Sequence, residues 1–225
     1  MSVGIVVPSE RDASLTVRSA GPADHPAIRH VVAAAYRQYR RELAAETYSR
    51  YVADLLDLDR HAYHGHLFVA EVRGRVIGSG AFYPDSSVHG LGWPIGWAGG
   101  RALAVHPAAR GAGVARALLT TCEHIARKDG APVFAFHAGS FMTGAIALYE
   151  KFGYRRAPEF DVDLNAHYGI VDAPPATALA YLRYLSTAAA RRGHSRCTHH
   201  GDHAPQRPTL PSSPAVRSLR PTLRH

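Results

Sequence analysis

Arg110-Gly111-Ala112-Gly113 is followed at once by Val114-Ala115-Arg116-Ala117-Leu118-Leu119, a run that suits an amphipathic helix. Glycines at this point remove β-carbons where a ligand must touch main chain, and they permit positive φ angles. The first turn of a helix leaves several N–H groups without intrahelical partners. That end also carries roughly half a positive charge. Loop and helix start together therefore make an anion site, and Arg110 adds a cationic side chain suited to phosphate. The residue types predict a pyrophosphate held mainly by main-chain amides of Arg110, Gly111, Ala112, Gly113, Val114 and Ala115. A P-loop would need Gly-Lys-Ser/Thr, and no lysine is near. A dinucleotide fingerprint would need a third glycine where Arg116 stands. The phosphate ligand left over is coenzyme A.

Other segments must position this loop. Leu15 to Arg18 alternates like a short strand, and Gly21 to Asp24 breaks the chain, with Asp24 the expected N-cap. Ile28, Val31, Val32, Ala35, Tyr36 and Tyr39 then recur at helical spacing. Tyr48, Tyr51, Val52, Leu55 and Leu58 predict a second helix. Leu67–Val72 and Val76–Phe82 read as a hairpin about Arg73-Gly74. Pro84 to Gly100 reads as a loop, and Leu103, Ala104 and Val105 belong to an apolar strand that ends at His106-Pro107. The helix after the loop runs from Val114 to Lys128 and puts Cys122 on its apolar face, as core. Pro132 to Phe136 follows as a strand, and Thr143 is the expected cap of a short helix closed by Gly153. Strands are expected near 154–164 and 177–185. Such an order predicts a mixed α/β domain with a largely antiparallel sheet.

Two stretches carry a family resemblance. Arg110-Gly111-Ala112-Gly113 resembles the main cofactor motif of the GCN5-related N-acetyltransferase (GNAT) family, with Ala108 where that motif has Gln or Arg. Leu148-Tyr149-Glu150-Lys151-Phe152-Gly153-Tyr154 is similar to the family's later motif, with Met142 where an Asn is usual. The resemblance spans about residues 15–186. It implies an α+β fold with six to seven strands and about four helices on both faces. It implies acetyl-CoA as co-substrate and direct acetyl transfer to a primary amine. Tyr149 is implied as the general acid for the coenzyme A sulfur, the Leu103–Val105 backbone as the partner of pantetheine, and a strand N–H there as the group that polarises the acetyl carbonyl. Many relatives place a Glu base where Gly99 and Gly100 stand. His137 is the preferred base, with Asp85 and His89 as alternatives and Ser140 as a residue that orients water. Glu71 and Arg101 read as solvated strand faces.

Composition narrows the partners. The net charge of +8 is uneven: residues 187–225 hold seven arginines and one aspartate, and the remaining 19 basic and 17 acidic residues leave +2. A nearly neutral domain disfavours nucleic acid as partner, although a basic tail keeps it as an alternative. A catalytically idle acetyl-CoA sensor is the other alternative, and a homodimer is left open. Residues 1–14 read as a flexible leader and 187–225 as disordered, rich in Arg, His and Pro. His194, Cys197, His199, His200 and His203 lack a zinc-fold pattern, so no metal is expected. No apolar run reaches the ~18 residues of a membrane span, the first residues do not resemble a secretion signal, and two sparse cysteines suit a reducing cytoplasm.

Overall fold

The structure, a computed structural model, describes residues 14–185. The expected leader and tail lie almost wholly outside those residues. Eight strands form one sheet among the described residues: β1 (Thr16–Ser19), β2 (His66–Val72), β3 (Arg75–Tyr83), β4 (Ala98–Val105), β5 (Val133–Gly139), β6 (Arg155–Arg156), β7 (Val162–Asp163) and β8 (Thr177–Tyr184). Their order is β1-β2-β3-β4-β5-β8-β6, and β7 also pairs with β8. Every pair is antiparallel except β4 with β5. Six α-helices accompany them: α1 (His25–Tyr36), α2 (Ala45–Leu55), α3 (Leu58–His64), α4 (Val114–Lys128), α5 (Thr143–Lys151) and α6 (Leu164–Tyr168). No described helix is long and apolar enough to cross a membrane.

Each face of the sheet has its own core. On one, Val114, Leu118 and Cys122 of α4 pack with Phe82, Phe134 and Phe136. On the other, Ile28, Val31 and Val32 of α1 pack with Val69, Ala81 and Tyr83. The alternation of strand residues thus feeds two helical layers. The β2–β3 hairpin turns at Arg73 (φ 52°) and Gly74 (φ 72°), two left-handed residues whose twist matches that of the strands. A β-carbon at Gly78 would stand 2.5 Å from Val114 Cγ1, so this glycine lets the start of α4 sit directly on β3.

Several boundaries differ from expectation. Asp24 precedes α1 but its carboxylate accepts from Gly21 N and Arg18, not from a helix amide. The second helix is two, because Asp57 accepts from Arg60 N and starts α3 anew. Met142, not Thr143, is the residue before α5, and no side chain caps that helix. The strand expected over 154–164 is broken by the turn at Pro158–Phe160 into β6 and β7. A proline has no N–H for a ladder.

The far half of the domain is tied to α4 through one carboxylate. Glu123, whose side chain is 8% exposed, accepts from Arg127 at 2.6 Å, Tyr154 Oη at 2.5 Å and Arg183 at 3.2 Å. Hydrogen bonds to charged groups contribute about 1.5–3 kcal/mol each, and the two arginines are partly solvated. Glu123→Ala should therefore lower stability by about 2–3 kcal/mol, a fall in Tm of roughly 4–12 °C for a domain of this size. Thermal denaturation followed by circular dichroism checks this, and an unchanged Tm would show that the cluster contributes little.

Candidate functional site

The Arg110–Gly113 segment meets α4 in a way that leaves its amides without partners. Gly111 (φ 82°) and Gly113 (φ 79°) are both left-handed, and Gly113 is the N-cap of α4. A glycine cap has no side chain with which to satisfy the first turn. Arg110 N bonds back to Pro107 O and Ala117 N to Gly113 O, but the amides of residues 111–116 have no acceptor among the described residues. A β-carbon at Gly111 or Gly113 would meet nothing within 4 Å, so the space in front of the turn is open. Unpaired amides beside open space fit a diphosphate.

That space is one end of a cavity of about 500 Å³. Leu103, Ala104, Val105, Arg110, Gly111, Gly113, Val114, Ala115 and Tyr149 all line it; Ala112 lies in the turn without doing so. The guanidinium of Arg110 is turned to α1, where it donates to Gln38 Oε1 at 3.2 Å and Ala35 O at 3.3 Å. Its role is thus partly to brace the loop. Arg116, set aside in the sequence as a missing glycine, adds a second cation to the wall and lies 5.7 Å over the Phe152 ring. Helical spacing alone could have found it, since it is the third residue of α4.

The wall opposite α4 is β4, and here the sheet opens. β4 pairs with β5 only at Ala98–Phe134 and Gly99–Ala135, and the two parallel strands carry no pair beyond. Gly99 allows that contact: a β-carbon there would stand 2.4 Å from Ala135 O and 2.1 Å from Ser86 Oγ. A glutamate base has no room at this position. Between Ser79–Ala104 and Ala81–Arg101 the β3–β4 register shifts, and Ala102 takes φ 50°. Such a bulge re-aims the backbone, and a non-glycine residue there costs roughly 1–3 kcal/mol. The Leu103 carbonyl accepts from Tyr36 Oη at 3.2 Å, which uses one of its two lone pairs.

A second, more enclosed cavity of about 70 Å³ lies in the gap between β4 and β5. Tyr36, Leu103, Met142 and Tyr149 line both cavities and so mark their junction. The Tyr149 hydroxyl has no hydrogen-bond partner among the described residues. Burial, reinforced by Tyr36 and Tyr39, holds that phenol well above its usual pKa of 10, so it keeps its proton.

His137 also lines the smaller cavity, but it lies within β5 rather than at its end. One ring nitrogen, Nε2, is 2.8 Å from Phe160 O, and the ring lies against Trp93 at 4.5 Å. A carbonyl only accepts, so the ring proton belongs on Nε2 and Nδ1 is the free acceptor. Burial pushes the pKa down to about 4, so the ring is neutral near pH 7. His89 lines the same cavity, whereas Asp85 and the exposed Ser140 line neither cavity. Glu71 pairs with Arg18 at 2.9 Å on the surface. Arg101 departs from its expected solvated face. Its side chain is 12% exposed, lines the smaller cavity and pairs with Asp54. Asp54 is 47 residues away in sequence, and no local pattern announced the pair.

Comparison with known proteins agrees with this architecture. An N-acetyltransferase from Staphylococcus aureus Mu50 superposes with a TM-score of 0.53 at 19% identity, over 77% of this chain and 99% of that one. PaiA N-acetyltransferase from Thermoplasma acidophilum, solved with coenzyme A, gives 0.59 at 13% identity over 76% and 99%. YncA from Salmonella typhimurium, solved with its cofactor acetyl-CoA, gives 0.52 at 22% identity over 78% and 96%. At such identities these likenesses speak for the fold alone. Among curated proteins none matches the chain. The sequence model of the Acetyltransferase (GNAT) family, however, matches residues 29–154, more than half of the chain, from within α1 through the α4 loop to Tyr154. The chain belongs to the GNAT acetyltransferase family.

Proposed function

We propose that this protein is an N-acetyltransferase that moves an acetyl group from acetyl-CoA to a primary amine by direct transfer, with both substrates bound at once. One observation carries the reading: the amides of residues 111–116 have no partner among the described residues, and five of those six residues line the larger cavity, which meets the smaller one at Tyr149. Family membership supports it, as do the coenzyme A and acetyl-CoA with which two structural neighbours were solved. Acetyl-CoA supplies an acyl carbon activated as a thioester.

The chain's own residues then divide the work. The Gly111–Arg116 amides hold the diphosphate, and Arg116 adds charge. The Leu103–Val105 backbone, exposed where β5 leaves β4, lies along the pantetheine arm. A β4 amide there polarises the acetyl oxygen. The amine enters from the smaller cavity, its nitrogen bonds to the acyl carbon, and the carbon–sulfur bond breaks. Tyr149 gives its proton to the departing sulfur, and general acid help of this kind is worth about 10²–10⁴-fold. The proton that the amine loses restores the phenol. His137, whose Nδ1 is left free by the bond of Nε2 to Phe160 O, is the residue assigned to relay it.

Two outcomes test this reading. Calorimetry should find acetyl-CoA binding to the unmodified protein, weakened on the order of 100-fold or more by Gly111→Glu or Gly113→Glu. Like-charge contact costs several kcal/mol, and about 1.4 kcal/mol is tenfold. Unchanged affinity would place the diphosphate elsewhere. Tyr149→Phe should lower kcat by about 10²–10⁴-fold while acetyl-CoA affinity stays within roughly threefold, since only a hydroxyl is removed. Equal turnover would remove Tyr149 from the chemistry.

A further inference from the structure

The smaller cavity holds polar atoms that the transfer step leaves unused. Ser86 and His89 line it, both residues are more than nine-tenths buried, and Ser86 Oγ and His89 Nε2 have no partner among the described residues. Polar atoms sealed from water in this way are costly to leave unpaired. Arg101 adds more. Its side chain lines the cavity and its Nη2 donates to Asp54, while Nε and Nη1 donate to no group among the described residues.

Charge points the same way. Asp54 is shared, since its Oδ1 accepts from Arg60 at 3.1 Å and its Oδ2, the partner of Arg101, also accepts from the Tyr168 hydroxyl at 3.3 Å. One carboxylate thus faces two guanidinium groups, and no Asp or Glu lines the cavity itself. Burial, and then Arg101, lower the pKa of His89, to about 2, and of His167. Those rings therefore add no charge near pH 7. Arg101 is then the one charged side chain among the residues that line the cavity, beside neutral donors.

We propose that the amine acceptor is a small amino acid, whose carboxylate is held by Arg101, Ser86 and His89 and whose amine points to Tyr149. This rests on the N-acetyltransferase reading above. The Arg101 fork suits a carboxylate, the Ser86 hydroxyl donates, and the neutral His89 ring donates with its proton on Nε2. The positive surroundings disfavour an ammonium and so favour the free amine that must attack. Arg101 and Leu103 are two residues apart on β4, so one strand carries both the carboxylate partner and the junction of the two cavities. Trp93, Tyr51 and Leu164 make the remaining wall apolar, which favours an apolar side chain.

The test is thiol release by the full-length protein at saturating acetyl-CoA, with kcat/KM calculated on free-amine concentration. L-phenylalanine and L-leucine are compared with phenylalaninamide, leucinamide and phenethylamine. The acids should be preferred at least ~10-fold, as expected when a charged, hydrogen-bonded group is lost. Arg101→Gln should remove that preference chiefly through KM, with acetyl-CoA affinity by calorimetry held within ~3-fold. Ser86→Ala, which removes one oxygen and leaves the Asp54 pair intact, should act in the same direction if the arginine variant fails to fold. Equal or faster turnover of the amides or of phenethylamine overturns the proposal. So does acetyl-CoA binding without turnover of any acid while another amine reacts, or with no acceptor reacting at all. Failure of the unmodified protein to bind acetyl-CoA overturns instead the transferase reading on which this rests.

Discussion

A helix cannot satisfy its own first amides, and everything at this site depends on how α4 begins. Its cap is Gly113 in a left-handed conformation, which offers no side-chain oxygen to the first turn. Gly111 turns the chain the same way two residues earlier. The amides of residues 111–116 are therefore left for something outside the chain. Such an arrangement is stable only because the helix is held elsewhere. Val114 and Leu118 are buried in the sheet, Gly78 lets α4 approach β3 closely, and Glu123 ties the helix to Tyr154 and Arg183. The packing that anchors the helix is what permits its end to stay unpaired.

The sheet makes the complementary surface by failing to close. β4 and β5 meet for two residue pairs and then separate, and beside that separation the β3–β4 register shifts at Ala102. Aromatic residues fill most of the opening. Tyr36 comes from α1 and Tyr149 from α5, and they meet where the two cavities join. The ion pair of Arg101 with Asp54 sits deeper, between β4 and α2. The gap thus has a phenol at its mouth and a guanidinium inside. The first suits a departing sulfur, and the second suits an anion carried by the acceptor.

Local signals were readable in the sequence, whereas long-range pairings were not. The α4 boundaries, the Arg73-Gly74 hairpin and the core position of Cys122 follow from periodicity and turn chemistry within a few residues. The loop glycines were legible because their backbone role is local too. Nothing local to β4 signals that Arg101 is buried, because the reason is Asp54 in another element. Alternation along β4 made Arg101 look solvated, yet the separation of β4 from β5 turns that side of the strand into a cavity wall. Arg110 was read from charge alone, and its tether to α1 depends on tertiary contact. The expected Thr143 cap failed for a smaller reason, since the helix begins one residue early and Met142 takes the cap position.

The most direct test of the account is to watch the α4 amides themselves. Nitrogen–proton correlation spectra of the labelled protein, titrated with coenzyme A and separately with pantetheine, distinguish the diphosphate from the rest of the cofactor. The account predicts that resonances of residues 111–116 move with coenzyme A and stay in place with pantetheine, which lacks the diphosphate. Saturation with coenzyme A that leaves those six residues unmoved, while others shift, would contradict it.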